Sequence, residues 1–150
     1  MVDRFERFSF AISEISRYWH KITADEMEKY GLKGPHSVYL TTMYRYPEGV
    51  TAPQLCELCG KDKSDVSRAM SLMEQKGLVE RQSVSCDARL KKIVLTEKSK
   101  AISHLMAEDM NLVDGILTDG FSAEEKEALY NYLERMKKNL KNYYLKEKEE

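Results

Sequence analysis

The chain has 150 residues, 42% hydrophobic and 33% charged, with seven Gly, three Pro and a net charge of −1. That length holds one domain or a compact pair of subdomains with its own core, and the low Gly and Pro content favours helix over disorder or a β-sandwich. No apolar run approaches the roughly 18 residues that cross a bilayer, and the opening MVDRFERFSF carries acids and no apolar core, so a cytoplasmic protein without a membrane association is expected.

In chain order, Phe5, Phe8, Ile12, Ile15, Trp19 and Ile22 are spaced three then four apart, a heptad-like stripe down one helix. A second helix is expected from Pro35, a favoured first-turn residue, to about Tyr46, with Tyr39, Leu40 and Met43 facing inward. Pro47-Glu48-Gly49 ends it. Thr51 is a good N-cap for a short helix closing at Gly60, and Asp62 caps the next, with Asp65 in its first turn. Val66, Ala69, Met70 and Met73 form the inward stripe of that helix, and Gly77 supplies its left-handed end.

LVERQSV and LKKIVLT read as two strands flanking a polar hairpin tip at 85–89. Thr96 opens a further helix carrying Ile102, Leu105, Met106, Leu112, Val113, Ile116 and Leu117. Ser122, in the capping sequence S-A-E-E, opens the last, with Leu129, Leu133, Met136, Leu140 and Tyr143 along one face. The expected fold is therefore mainly α with a small β-hairpin wing: a winged helix-turn-helix between N- and C-terminal helices. A helix-turn-helix followed by a hairpin wing is a DNA-reading arrangement, with one helix in the major groove and a basic loop beside it. Charge agrees mildly. Residues 51–95 hold eight Lys/Arg against six Asp/Glu, whereas residues 96–150 hold nine against twelve.

Three motifs stand in the order Val66-Ser67-Arg68, Lys76-Gly77-Leu78-Val79 and Asp87-Ala88-Arg89, the last followed by Leu95-Thr96. Together they make the chain resemble the MarR family of winged-helix transcriptional regulators over nearly its whole length. One departure is Lys92, where Arg is frequent, which keeps the charge and loses a bidentate donor. The resemblance implies a recognition helix at about 62–76 and a wing at about 84–92. It divides the chain into an N-terminal dimerisation helix (1–34), a DNA-binding domain (35–96) and C-terminal dimerisation helices (97–150).

Ser64, Ser67, Arg68 and Ser71 recur at helical spacing opposite the apolar stripe, so they would point toward DNA. Short hydroxyls let the helix approach closely, Arg68 can reach a phosphate or the N7 and O6 of guanine, and Lys63 suits a phosphate. By resemblance Arg89 enters the minor groove with Asp87 holding it or the loop, and Lys91 and Lys92 add backbone contacts. The terminal helices carry more apolar surface than a lone winged helix needs, and the resemblance makes the partner a second copy, giving a homodimer on a pseudo-palindromic operator.

The resemblance further implies repression relieved by a small phenolic or aromatic effector, with Trp19, His36 and Tyr39 as candidate contacts. A thiol-based oxidant sensor using Cys86 and a helical interaction protein without DNA binding are the alternatives. No enzyme motif, cofactor or metal site is expected: the single C-x-x-C, Cys56 and Cys59, lacks the second ligand pair that structural zinc requires. In the helix-turn-helix both cysteines fall at packing positions.

Overall fold

The computed structural model describes residues 3–84 and 91–148. Helix α1 (Arg4–Glu28) leads into a 3-10 turn (Gly34–His36), then α2 (Ser37–Tyr44), α3 (Ala52–Cys59) and α4 (Lys63–Gln75). Strands β1 (Val79–Ser83) and β2 (Lys91–Leu95) form an antiparallel hairpin, followed by α5 (Glu97–Leu117) and α6 (Ala123–Lys146). The expected hairpin tip at 85–89 lies outside the described residues.

The helix boundaries follow from local chemistry. Thr51 caps α3 reciprocally with Gln54, its hydroxyl accepting from the Gln54 N–H while the Gln54 side chain accepts from the Thr51 N–H. Asp62 Oδ1 accepts from the Asp65 N–H at 2.8 Å and starts α4. Between them Gly60 adopts φ +62, the left-handed conformation that lets the chain reverse in a tight turn. Ser122 and Glu125 form the same reciprocal cap on α6.

The second helix departs from expectation at its start. Pro35 sits in a 3-10 turn rather than in α2, because His36 Nδ1 accepts from the Lys33 N–H at 3.0 Å and closes a shorter ring there. Its inward residues Tyr39, Leu40 and Met43 are buried as the spacing predicts.

The residues fall into two compact units, one up to Glu108 and one from Asp109 onward. The core lies in the first. Met27, Leu40, Leu55, Val66, Met70, Met73, Leu78, Ile93 and Met106 meet there with almost no exposure, each contributing about 2 kcal/mol of burial. Five of the buried residues are methionines, Met27, Met43, Met70, Met73 and Met106, whose unbranched side chains fill the irregular space between short helices. Val50 pairs with Ile93 through two backbone hydrogen bonds, adding an isolated bridge beside the hairpin. Ser99 Oγ reaches the Leu78 carbonyl and ties the first turns of α5 to the end of the helix-turn-helix.

On α5, Ile102 and Met106 are buried in the first unit, whereas Leu105, Leu112, Ile116 and Leu117 are exposed. In the second unit the Thr118 hydroxyl donates to the Asp114 carbonyl, and the Tyr130 hydroxyl donates to the Asp114 carboxylate, linking α5 to α6. No residue of α6 is buried. Among the described residues no helix is long and apolar enough to cross a membrane.

Candidate nucleic-acid interface

Helix α4 presents two chemically distinct faces. Val66, Ala69, Met70 and Met73 are buried, while Lys63, Ser64, Ser67, Arg68 and Ser71 are all exposed. The exposed set is small hydroxyls interrupted by two cations, so backbone can approach a partner closely between two long charged arms. Arg68 is 72% exposed at its side chain, and its Nη2 donates to Asp65 Oδ1 at 2.8 Å along the same helix face.

Two depressions flank this helix. One, of about 600 Å³, lies between α3, α4 and the hairpin, with Lys63, Ser67, Cys56 and Arg81 on its wall. Arg81 Nε donates to Glu74 Oε2 at 3.2 Å, which fastens β1 to the last turn of α4 and sets the hairpin beside the helix. The other, of about 250 Å³, lies between the 3-10 turn and α4, walled by Lys33, His36, Tyr39, Lys61, Asp65 and Arg68. Burial, with the Asp65 carboxylate nearby, pushes the Tyr39 phenol up to about 12, so it stays a neutral hydrogen-bond donor. Burial first, then Lys33 and Lys76, lowers the His36 pKa and favours its neutral ring.

Of the wing residues, Lys91 is exposed at the start of β2 and Lys92 is half-buried. Asp87, Arg89 and Cys86 lie outside the described residues. Of the three effector candidates, His36 and Tyr39 share the smaller depression, while Trp19 lies exposed on α1 and is not on its wall. Lys33, Lys61 and Arg81 line these depressions although composition and pattern did not single them out; Lys61, directly after the turn at Gly60, had the position to be noticed.

Cys56 and Cys59 are half-buried against the core rather than fully enclosed. Cys59 Sγ donates to Thr42 Oγ1 at 3.6 Å, and burial pushes its thiol pKa up, which disfavours the reactive thiolate. Among the described residues no three His, Cys, Asp or Glu side chains converge as metal ligands would.

A family model of the MarR family matches residues 30–90, the span from the end of α1 to the wing. Over that span the chain is similar to the MarR family. The fold is similar to that of a MarR transcriptional regulator from Methanosarcina mazei, at 28% identity with 92% of this chain and 99% of that one covered and a TM-score of 0.80. A MarR protein from Peptoclostridium difficile is similar at 24% identity, covering 97% and 96%, with a TM-score of 0.84. A MarR-family protein from Listeria monocytogenes, solved with a 26mer DNA, is similar at 22% identity, covering 97% and 93%, with a TM-score of 0.82. Within this winged helix, α4 is the second helix of the helix-turn-helix and β1–β2 the wing.

Proposed function

We propose that the chain is a sequence-specific DNA-binding repressor that works as a homodimer, with α4 in the major groove and the wing in the adjacent minor groove. The observation that carries this reading is the two-sided character of α4: its apolar side is buried and its hydroxyl-and-cation side is exposed beside a two-stranded wing. A helix about 12 Å across fits the major groove, where Ser64, Ser67 and Ser71 admit close approach and Arg68 can meet guanine N7 and O6. Lys63 and Lys91 suit phosphates, and Arg89 with Asp87 suits the minor groove. The DNA complexes of the Listeria protein and of Staphylococcus aureus MepR, which share this fold, support the reading.

The dimer follows from uncovered apolar surface. Phe5, Ile12 and Ile15 on α1 and Leu133, Leu140 and Tyr143 on α6 are exposed in the single chain, at positions repeating along each helix. A two-fold copy would cover them and set two α4 helices about 34 Å apart, one helical turn of DNA.

Release is assigned to a small aromatic or phenolic effector. The depression shared by His36, Tyr39 and Arg68 offers it a neutral donor and a cation at the edge of the reading helix. Such a ligand displaces DNA only as far as it binds the DNA-free geometry better.

The test is a gel shift with the DNA upstream of the gene, run across salt concentrations. Binding should be site-specific and fall steeply with salt, and Arg68→Ala and Arg89→Ala should each weaken it about tenfold or more. Retention of full affinity by both variants would refute the assignment of the helix and the wing. A thermal-shift screen of phenolic acids and quinones, followed by operator titration, tests the effector.

A further inference from the structure

Asp65 places a carboxylate on the face of α4 that carries the exposed hydroxyls and Arg68. Against a polyphosphate such a group is a cost, and it needs a reason to be there. Its geometry supplies one. The Asp65 backbone N–H is fixed by Asp62 Oδ1 at 2.8 Å, and its side chain, less exposed than that of Arg68, lines the depression beside Tyr39 and Lys61. Arg68, by contrast, is a long arm held at one point, where Nη2 meets Asp65 Oδ1.

A guanidinium has five N–H donors in a planar fork, and this contact uses one. The outer edge, with one hydrogen left on Nη2 and two on Nη1, remains able to donate in parallel to guanine N7 and O6. Holding the arm also removes part of the rotamer freedom that binding would otherwise have to quench. At the same time it partly neutralises a cation that would otherwise pair with whichever phosphate is nearest.

We infer that Asp65 is a positioning residue for sequence reading: it holds the Arg68 fork edge-on to one base pair and withholds it from indiscriminate phosphate contact. This rests on the reading of α4 as the DNA-reading helix. Asp65 therefore trades general affinity for discrimination, which separates its role from that of Lys63 or Lys91.

The experiment uses the full-length protein, a duplex enriched by the wild-type protein from a random-sequence library, and a scrambled duplex of equal length. Asp65→Asn should raise affinity for the scrambled duplex about three- to tenfold and lower the specificity ratio about tenfold. Its salt dependence on scrambled DNA should steepen by about one phosphate equivalent. Asp65→Glu, which restores the carboxylate within reach of Arg68, should return ratio and slope most of the way to wild type. In an Arg68→Ala background, Asp65→Asn should leave the ratio unchanged.

A merely structural role at the helix start would lower the melting temperature and move both affinities together, with ratio and slope unaltered; that result overturns the inference. So does an Asp65→Asn effect of equal size with and without Arg68. Should Asp65→Asn fail to fold, Asp65→Ser, which keeps a residue suited to a helix start, takes its place in the same comparison. If Arg68→Ala itself leaves selection of the enriched duplex intact, the reading of α4 falls, and the role of Asp65 with it. A loss on Arg68→Ala with no change on Asp65→Asn removes the Asp65 role alone.

Discussion

Thr96 Oγ1 donates to the backbone carbonyl of Gly77 at 2.8 Å, so the residue that follows the hairpin holds the glycine just past the end of α4. The same oxygen accepts from the Ser99 N–H and caps the start of α5. One hydroxyl thus joins the turn after α4, the end of the hairpin and the start of α5. Thr96→Val keeps the volume and removes both bonds, and should cost about 1–2 kcal/mol in urea unfolding. Thr96→Ser should restore most of it. Equal stability of Thr96→Val and wild type would show that the junction is held by packing alone.

Gly49 and Gly60 both have positive φ, at +88 and +62, but their surroundings differ. A Cβ at Gly49 would lie 2.6 Å from Val94 Cγ1 and 3.1 Å from the Ile93 carbonyl, whereas among the described residues nothing lies within 4 Å of one at Gly60. Gly60→Ala should therefore cost only the left-handed strain, about 1 kcal/mol. Gly49→Ala adds a clash that pushes on the Val50–Ile93 bridge and should cost roughly 3 kcal/mol. Denaturant midpoints measured side by side check the ordering, and a Gly60 variant as damaging as the Gly49 variant contradicts it.

The contrast between these glycines also marks what the sequence could disclose. Caps at Thr51, Asp62 and Ser122 and the stripe from Val66 to Met73 are local rules, readable because a side chain reaches only three or four residues along its own helix. The Val50–Ile93 bridge joins residues 43 positions apart through backbone alone, and no side-chain pattern announces it. The smaller depression draws Lys33 and His36 from a turn and Lys61 and Arg68 from around α4, so its membership is a tertiary fact. Trp19, a candidate contact by the family resemblance, is exposed on α1 and is not on its wall. The Asp65–Arg68 pair was within reach, since opposite charges three apart on a helix meet.

His36 should make stability depend on pH. Its Nδ1 accepts from the Lys33 N–H, which requires a neutral ring at that nitrogen, and burial, Lys33 and Lys76 lower its pKa below the ordinary 6.5. The unfolded chain therefore takes up a proton near 6.5 while the folded chain waits for lower pH. The stability that His36 contributes is fully present above 6.5, is lost as pH falls from 6.5 toward the folded pKa, and levels off below it. His36→Asn, whose Oδ1 can accept the same hydrogen bond without titrating, should flatten this part of the melting-temperature profile between pH 7.5 and 5. An unchanged slope would assign the acid sensitivity to other groups.

The apolar faces of the terminal helices give the last prediction. Ile12 on α1 and Leu140 on α6 are 42% and 61% exposed in the single chain, so a charge at either position should leave the fold of one chain intact. In a dimer that covers those faces, the same charge is desolvated twice over, once in each copy. Ile12→Asp and Leu140→Glu should therefore give monomers in sedimentation analysis with unaltered helix content by circular dichroism. Because each half-site then binds independently, affinity for a two-half-site operator should fall by about 100-fold or more. Variants that remain dimeric and bind as wild type would move the interface to other surfaces, whereas variants that lose helix content would show that these side chains support the single chain itself.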